Sequence, residues 1–309
     1  MATTIEWTDT VWNPVRGCSL VSAGCANCYA MKQAHRFSGK GKPYEGLTEL
    51  GPQGPRWTGK VRLVPDVLEA PLHWRQPRRV FVNSMSDLFH EDVPDEFIDR
   101  VWGIMSLAPR HTYQILTKRP ERMLAVVSKL VARHACRDGS DWPLPNVWLG
   151  VSVENQQTAD ERIPLLLQTP AAVRFVSAEP LLGAIDLCRY CAPNFPCDWP
   201  GLDWVIVGGE SGPKARPCYM AWILSIKDQC QAAGVPVFIK QLGSQPRGWC
   251  AAIPHGDEPE SSYERDYCDL YEASEIPEPC SGRCGCLVDR KGGDMAEWPA
   301  DLRVREFPC

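Results

Sequence analysis

The chain has 309 residues, of which 44% are hydrophobic and 23% charged, and its formal net charge is −5. A hydrophobic fraction of this size supplies a substantial core, and the length accommodates one large α/β domain with appended material. No run of about 18 apolar residues is present, so no transmembrane helix is expected. The polar, acidic N-terminus lacks the basic and apolar regions of a secretory signal.

Fifteen cysteines are an unusual number for a chain in which no secretory signal is recognised. In a reducing compartment such cysteines favour metal binding or redox chemistry over a disulfide framework. We therefore expect the protein in the cytoplasm, either of a bacterium or of an infected cell.

The negative charge is concentrated late in the chain. Residues 250–286 contain nine acidic and two basic residues, a net charge of −7, which leaves +2 for the remainder. We expect an exposed acidic insertion over residues 250–290, after a main domain at 1–249 and before a C-terminal cap at 291–309. The nearly balanced remainder predicts no strong field for nucleic acid.

Taken in order, the first distinctive stretch is a loop with the spacing C-x6-C-x2-C at Cys18, Cys25 and Cys28. Gly17 and Gly24 each precede a cysteine and allow tight turns, so the sulfurs can converge. A structural zinc site normally has four ligands, whereas three thiolates on a [4Fe–4S] cluster leave one iron open. The residues alone permit such a cluster, a zinc site completed by a distant ligand, or three ordinary buried thiols.

A helix is predicted at residues 29–37, followed by a Gly/Pro-rich stretch at residues 38–60. This stretch is too long for an ordinary connector and is expected to be a lid or binding loop. Basic residues interleaved with Trp57 and Trp74 suit a phosphate-bearing or stacked substrate, or else a solvated loop with packing tryptophans. Trp7 and Trp12 are expected to pack rather than to bind a ligand.

Apolar, strand-like runs alternate with lengths that fit helices, which is typical of a parallel sheet with crossover helices. A first strand is expected near residues 10–16. The later strands are predicted at residues 79–82, 113–116, 147–151, 173–176, 204–207 and 235–239, and the helices at 95–107, 119–134, 155–167 and 219–233.

Polar residues follow each predicted strand, where such folds place their chemistry. They are Ser84, Ser86, Asp87 and His90 after the second strand, Lys118 after the third, Ser152, Glu154 and Asn155 after the fourth, Glu179 after the fifth, and Gly208, Gly209, Glu210 and Ser211 after the sixth.

These segments, read with the cysteine loop, carry a family resemblance from about Thr4 to about Gly243. S-M-S-D-L-F-H, L-T-K-R-P, G-V-S-V-E-N, S-A-E-P and G-G-E-S-G occur in the same order as in a phage-associated three-cysteine-motif family. That family resembles radical S-adenosylmethionine (SAM) enzymes, whose loop has the shorter spacing C-x3-C-x2-C. The resemblance implies an α/β fold, a partial (β/α) TIM-type barrel of about six to seven parallel strands.

The resemblance also implies a chemistry. Cys18, Cys25 and Cys28 would hold a [4Fe–4S] cluster whose open iron chelates SAM, and an electron donor would allow SAM to be cleaved reductively. The resulting radical would abstract hydrogen from a substrate of the nucleotide or DNA-base class. The alternative is a zinc-binding, nucleic-acid-interacting phage protein without radical chemistry, and a non-radical metal enzyme is a third possibility. No membrane partner is expected.

The strand-end residues take expected roles in this scheme. Asp87, helped by Ser84 and Ser86, would bind the SAM amino group, because a carboxylate pairs well with an ammonium. Lys118 would neutralise the SAM carboxylate or a substrate phosphate. The remaining assignments are Ser152, Glu154 and Asn155 to ribose or substrate, Gly208, Gly209, Glu210 and Ser211 to adenine, and Glu179 and His90 to proton transfer.

Each assignment has a structural alternative. Asp87 would equally cap a turn, Asn155 would cap a helix, and His90 would be a buried structural histidine.

A second cysteine group lies in a proline-rich loop at residues 184–203. Cys188, Cys191 and Cys197 have metal-like spacing without a fourth ligand of their own. They would hold structural zinc together with Cys280, Cys284 and Cys286, or an auxiliary cluster, or they are ordinary loop thiols.

Overall fold

The computed structural model describes residue 3 and residues 5–52, 54–134, 142–191, 201–248 and 289–308. Most of the predicted acidic insertion at 250–290 therefore lies outside the described residues. So does the part of the predicted cysteine-rich loop at 192–200.

Seven strands form a parallel sheet, and their order in the sheet is their order in the chain. The strands are β1 (Thr10–Trp12), β2 (Arg79–Val82), β3 (Thr112–Thr117), β4 (Val147–Ser152), β5 (Val173–Ala178), β6 (Trp204–Gly208) and β7 (Val237–Gln241). The strands are almost fully buried, as expected for a parallel sheet covered by crossover helices. The prediction of an α/β fold of the partial-barrel type is confirmed.

Five helices of eight residues or more accompany the described strands. They are α1 (Tyr29–Arg36), α2 (Asp95–Leu107), α3 (Pro120–His134), α4 (Gln156–Gln168) and α5 (Met220–Ala233), and a single helical turn spans Cys188–Cys191. Their ends agree with the predicted bounds to within about one residue. Helix α5 ends at Gly234, whose φ of 69° is the left-handed conformation that favours glycine.

Proline sets two strand boundaries that differ from the predicted ones. Strand β1 ends at Trp12 instead of continuing to residue 16, because Pro14 cannot donate a ladder hydrogen bond. Val15–Arg16 pairs antiparallel with Arg62–Leu63 instead. For the same reason β7 starts after Pro236. At its other end β7 continues through Lys240 and Gln241, two residues beyond the predicted end.

The Gly/Pro-rich stretch at residues 38–60 is folded rather than an open loop. It contains an antiparallel hairpin of Thr48–Gly51 and Gly54–Trp57. The hairpin packs on α1 around a small core, because Leu47 and Trp57 supply apolar anchors that the glycine content concealed. The residues of this core are Ala30, Met31, Ala34, Tyr44, Leu47 and Trp57, with Cys18 and Cys28 against it. Trp7 and Trp12 are also buried, as expected of packing residues.

The chain divides into two compact units. The first contains Met1–Ser152, Asp160–Ser177 and Pro193–Asp203, and the second contains Val153–Ala159, Ala178–Ala192 and Trp204–Cys309. Within the second unit the C-terminal segment lies against β7, where the Ile239 N–H donates to the Val304 carbonyl at 2.9 Å. In the described part of the chain, no helix has both the length and the apolar character needed to cross a membrane.

The contact between β4 and β5 yields a stability prediction. A Cβ added at Gly150 would lie 2.6 Å from the ring of Phe175, which is fully buried. We expect Gly150→Ala to lower the free energy of unfolding by about 1–3 kcal/mol, because a packed core resists extra volume. Urea denaturation measures the change.

The control is Gly103→Ala in α2, where an added Cβ meets nothing within 4 Å. That change should raise the free energy of unfolding by about 0.5–1 kcal/mol, since alanine is the better helix former. Equal effects of the two substitutions would contradict this account of the β4–β5 contact.

Candidate functional site

In the first unit the cysteine loop is attached at both ends to the segment that follows β2. Gly17 forms a parallel bridge with Ser86, and its φ of 89° requires glycine. A Cβ there would also collide with the Lys60 carbonyl. At the other end, the Tyr29 hydroxyl donates to the Ser84 carbonyl at 2.7 Å. The loop is therefore held at the carboxyl ends of β1 and β2.

The hydroxyls of Ser84 and Ser86 take part in this attachment. Ser84 Oγ donates to Asn13 Oδ1 at 3.2 Å, and Ser86 Oγ donates to the Val15 carbonyl at 2.7 Å. Both side chains therefore fix the segment that leads into the cysteine loop. Their predicted contact with SAM stays a prediction.

The three thiols of the loop interact electrostatically. Burial and then the Asp87 carboxylate raise the pKa of Cys18 to about 12, against the opposing effect of Arg119. Burial also raises the pKa of Cys28, where nearby Cys25 raises it and the ammonium of Lys118 lowers it. The two consecutive cations after β3 thus lower the pKa of different cysteines, Arg119 that of Cys18 and Lys118 that of Cys28.

The described side chains do not converge on a single ion. Among the described residues, no group of three or more His, Cys, Asp or Glu side chains is placed to hold one metal ion. A zinc site brings its thiolate sulfurs about 2.3 Å from the metal, which requires them to be close together.

Arg119 is the functional candidate that the sequence analysis missed. Its Nη1 lies 3.0 Å from Asp87 Oδ2 and 4.0 Å from Cys18 Sγ, and its Nη2 donates to Ser19 Oγ at 2.6 Å. Its sequence signal is the L-T-K-R-P segment, in which the arginine directly follows Lys118 at the end of β3. Arg119 connects the ends of β2 and β3 to the cysteine loop.

Asp87 is the centre of this arrangement. Its carboxylate accepts hydrogen bonds from the Thr117 hydroxyl at 2.8 Å, from the Phe89 N–H at 2.9 Å and from the Lys118 N–H at 3.3 Å, besides the Arg119 pair. Asp87 thus caps the turn after β2, and its predicted contact with an ammonium group stays a prediction.

His90 is fully buried and supports Ser19. Its Nδ1 accepts a hydrogen bond from the Asp92 N–H at 3.2 Å, so the ring proton lies on Nε2, which donates to Ser19 Oγ at 2.9 Å. Burial and then the charge of Arg119 lower the pKa of His90, which favours the neutral ring. The structure gives His90 a positioning contact, and its role in proton transfer is untested.

The predicted residues of the second unit form a separate set. Lys240 Nζ lies 2.9 Å from Glu179 Oε1, and that same oxygen would lie 2.9 Å from a Cβ at Gly208. Glycine at position 208 therefore makes room for this ion pair.

Glu210 has a different arrangement in the same unit. The guanidinium of Arg216 donates to both carboxylate oxygens of Glu210, at 3.0 and 2.7 Å. Gly209 is required because a Cβ there would collide with the Leu242 carbonyl, and Ser211 is half-buried beside them.

The residues at the end of β4 and after it form hydrogen bonds with α4 and with nearby backbone groups. Asn155 Oδ1 accepts from the Thr158 N–H at 3.1 Å, which is the helix-cap alternative. Glu154 is fully buried, and its carbonyl accepts from the Leu182 N–H at 2.7 Å. In the first unit, the Ser152 carbonyl accepts from Arg162 at 2.6 Å.

Of the second cysteine group, only the side chain of Cys188 is described. It is exposed, and its Sγ lies 3.6 Å from Gln229 Oε1. The side chain of Cys191 and all of Cys197 lie outside the described residues, so the second metal site stays a prediction.

Together these features define a class of protein, a partial β/α barrel with a three-cysteine loop at the carboxyl end of its first strand. Over residues 2–269 the chain matches the family described as Protein of unknown function (DUF5131). The match covers most of the chain, and the protein belongs to this family. No curated protein matches the chain significantly, and no solved structure does.

The Asp87–Arg119 pair is expected to be energetically coupled. The two side chains are 8% and 13% exposed, so removing either leaves a poorly solvated charge. We expect each alanine substitution to lower the free energy of unfolding by about 3 kcal/mol. A double-mutant cycle by urea denaturation should give a coupling above about 1 kcal/mol.

The matched control is the exposed pair Glu49–Arg56, whose side chains are 50% and 56% exposed. Its coupling should stay below about 1 kcal/mol. A coupling at Asp87–Arg119 no larger than that of the control would show that the pair does not organise the site.

Proposed function

We propose that the protein is a radical-SAM-type iron–sulfur enzyme, as the three-cysteine-motif resemblance suggests. Cys18, Cys25 and Cys28 would hold a [4Fe–4S] cluster, and SAM would bind at its open iron. The observation that supports this most is geometric: the loop that carries the three thiols is held at both ends beside the carboxyl ends of β1 and β2, with Arg119 Nη1 4.0 Å from Cys18 Sγ.

The donor set fits such a cluster. Thiolates are the usual ligands of iron–sulfur clusters, and three of them leave one iron open. Burial first, and also repulsion from neighbouring thiolates, raise the pKa of Cys18 and of Cys28, and a bound cationic metal centre would offset both effects. A cluster of four irons is larger than a single ion, so it suits thiols that do not converge on one point.

Held by Cys18, Cys25 and Cys28, such a cluster would supply the one-electron reduction that cleaves SAM, and an external donor would re-reduce it. The chain's own residues hold and orient the reactants. Arg119 and Lys118 place positive charge beside Cys18 and Cys28, which limits the net negative charge at the thiolates. His90 keeps Ser19 in place beside the same guanidinium.

The strand-end residues keep their proposed roles. Asp87 already accepts from four donors, which fill the roughly four acceptor sites of a carboxylate, so the SAM amino group would have to replace one of them. In the second unit, Glu179 would exchange a proton with the substrate, its negative charge balanced by Lys240. The assignment of Gly208 and Gly209 to adenine rests on the resemblance alone, because Glu179 and the Leu242 carbonyl occupy the space beside these two glycines. An electron donor is required, and a reducing compartment such as the cytoplasm would keep the thiols available.

Iron content provides the first test. Protein reconstituted without oxygen should be brown and hold about four irons at this site. Cys18→Ser should remove the iron, whereas Cys230→Ala, which changes a buried thiol of the second unit, should retain it. Metal analysis and absorption spectroscopy measure both. Stoichiometric zinc without iron would overturn the proposal and favour the zinc-protein alternative.

SAM binding provides the second test. Asp87→Asn keeps the size of the side chain but removes its charge, so we expect SAM affinity to fall by about tenfold or more while the cluster spectrum is unchanged. Equilibrium dialysis with labelled SAM measures the affinity. If Asp87→Asn removes the iron as completely as Cys18→Ser does, Asp87 is a structural residue and its assignment to SAM is wrong.

A further inference from the structure

The positive charge of the chain is concentrated around the cysteine loop. Residues 10–64 contain eight Lys and Arg residues and two Glu residues, a net charge of +6, which leaves −11 for the rest of the chain. The near balance of charge outside the acidic insertion therefore conceals a strongly positive region. These residues include the loop, α1 and the hairpin, which share one small core.

Most of these cations face solvent. The exposed ones are Arg36, Lys40, Lys42, Arg56, Lys60 and Arg62. Within the described part of this stretch, the one ion pair is Arg56–Glu49. Arg62 donates instead to the carbonyls of Pro43 and Glu45, at 3.1 and 2.7 Å, which keeps its charge uncompensated by a carboxylate. The region therefore attracts a polyanion.

Exposed aromatic rings accompany the charge. Tyr29 and Phe37 are 51% and 52% exposed, at the first residue of α1 and directly after its last. Arg36 is seven residues after Tyr29, which places both on one face of the helix. Because its hydroxyl is bonded to Ser84, the Tyr29 ring is fixed in position directly after Cys28.

The cysteine loop itself offers no charge. No charged residue occurs between Gly17 and Ala30, and Leu20 and Val21 are 55% and 42% exposed. The loop's own residues thus contribute an uncharged surface, and the exposed cations of this region lie beyond it, on α1 and in and around the hairpin.

We propose that residues 10–64 bind single-stranded nucleic acid and present it beside the three-cysteine loop. Single strands are bound by cationic grooves combined with aromatic side chains on which bases stack. An acidic protein is the other polyanion that could bind here. It would use the cations but would not require the two half-exposed rings of Tyr29 and Phe37. Binding of the strand does not depend on the proposed function. Only the further step, that the bound strand is the substrate of the thiol site, rests on it.

Binding is measured by fluorescence anisotropy on metal-free protein. The probes are labelled DNA and RNA oligonucleotides of mixed sequence, about 16 nucleotides long, and a DNA duplex of the same sequence. We expect a single strand to bind with log K falling linearly with log salt. Six phosphate contacts give a slope of about −4, at about −0.7 for each contact. Whether DNA or RNA binds more tightly identifies the sugar preferred.

Paired variants separate charge from stacking. Lys40→Gln with Lys42→Gln should make the slope less steep by about 1.4, because two phosphate contacts are lost. Tyr29→Ala should weaken binding about tenfold without changing the slope, whereas Tyr29→Phe, which keeps the ring but loses the hydrogen bond that fixes it, should weaken binding by less. The control is Lys129→Gln with Arg133→Gln, exposed cations of α3 that pair with Asp95 and Asp99.

Several outcomes would overturn the inference. The first three are that no single strand binds, that the α3 control variant changes the salt slope as much as the Lys40 and Lys42 variant does, and that the duplex binds more tightly than the single strand. The fourth is that Tyr29→Ala leaves the affinity unchanged and polyglutamate displaces the strand completely. The last result would assign the surface to an acidic protein. Iron content is measured separately, so a protein that binds the strand without holding iron contradicts the proposed function alone, and one that holds iron without binding contradicts this inference alone.

Discussion

The Asp87 carboxylate is the interaction on which the first unit's site depends. It accepts from Thr117 at the end of β3, caps the turn after β2 and pairs with Arg119. Through Arg119 the same network reaches Ser19 and Cys18. A buried charge of this kind is stable only with its partners present, so the strand ends and the cysteine loop have to adopt their positions together.

The repeating architecture could be predicted from the sequence because its signals are local. The apolar runs that end in polar segments placed β2 to β6 and the helices between them, and Gly234 marked the end of α5. The misplaced end of β1 and the misplaced start of β7 have one cause. Pro14 and Pro236 remove ladder donors, and an apolar pattern alone does not register that loss. The hairpin within residues 38–60 was missed because its stability comes from contacts with α1, which are distant in sequence.

The candidate site was predicted only as far as spacing allows. The sequence places Cys18, Cys25 and Cys28 in one short loop, but it does not place Arg119 there, because the contacts of Arg119 with Asp87 and Ser19 depend on the tertiary fold. Similarly, whole-chain charge concealed the basic region around α1, since the acids that balance it lie elsewhere in the sequence. Charge becomes informative only when it is counted over residues that pack together.

The attachment of the cysteine loop at both ends affects how a metal could bind there. Gly17 and Tyr29 are each held by residues 84–86, so the fold closes the loop without any help from a ligand. The entropy of loop closure is therefore a cost of folding rather than a cost of metal binding. A metal centre would meet thiols that are already confined to a short segment, and it could leave and return without unfolding the barrel. In this respect the loop differs from a zinc finger, whose fold is lost with its ion.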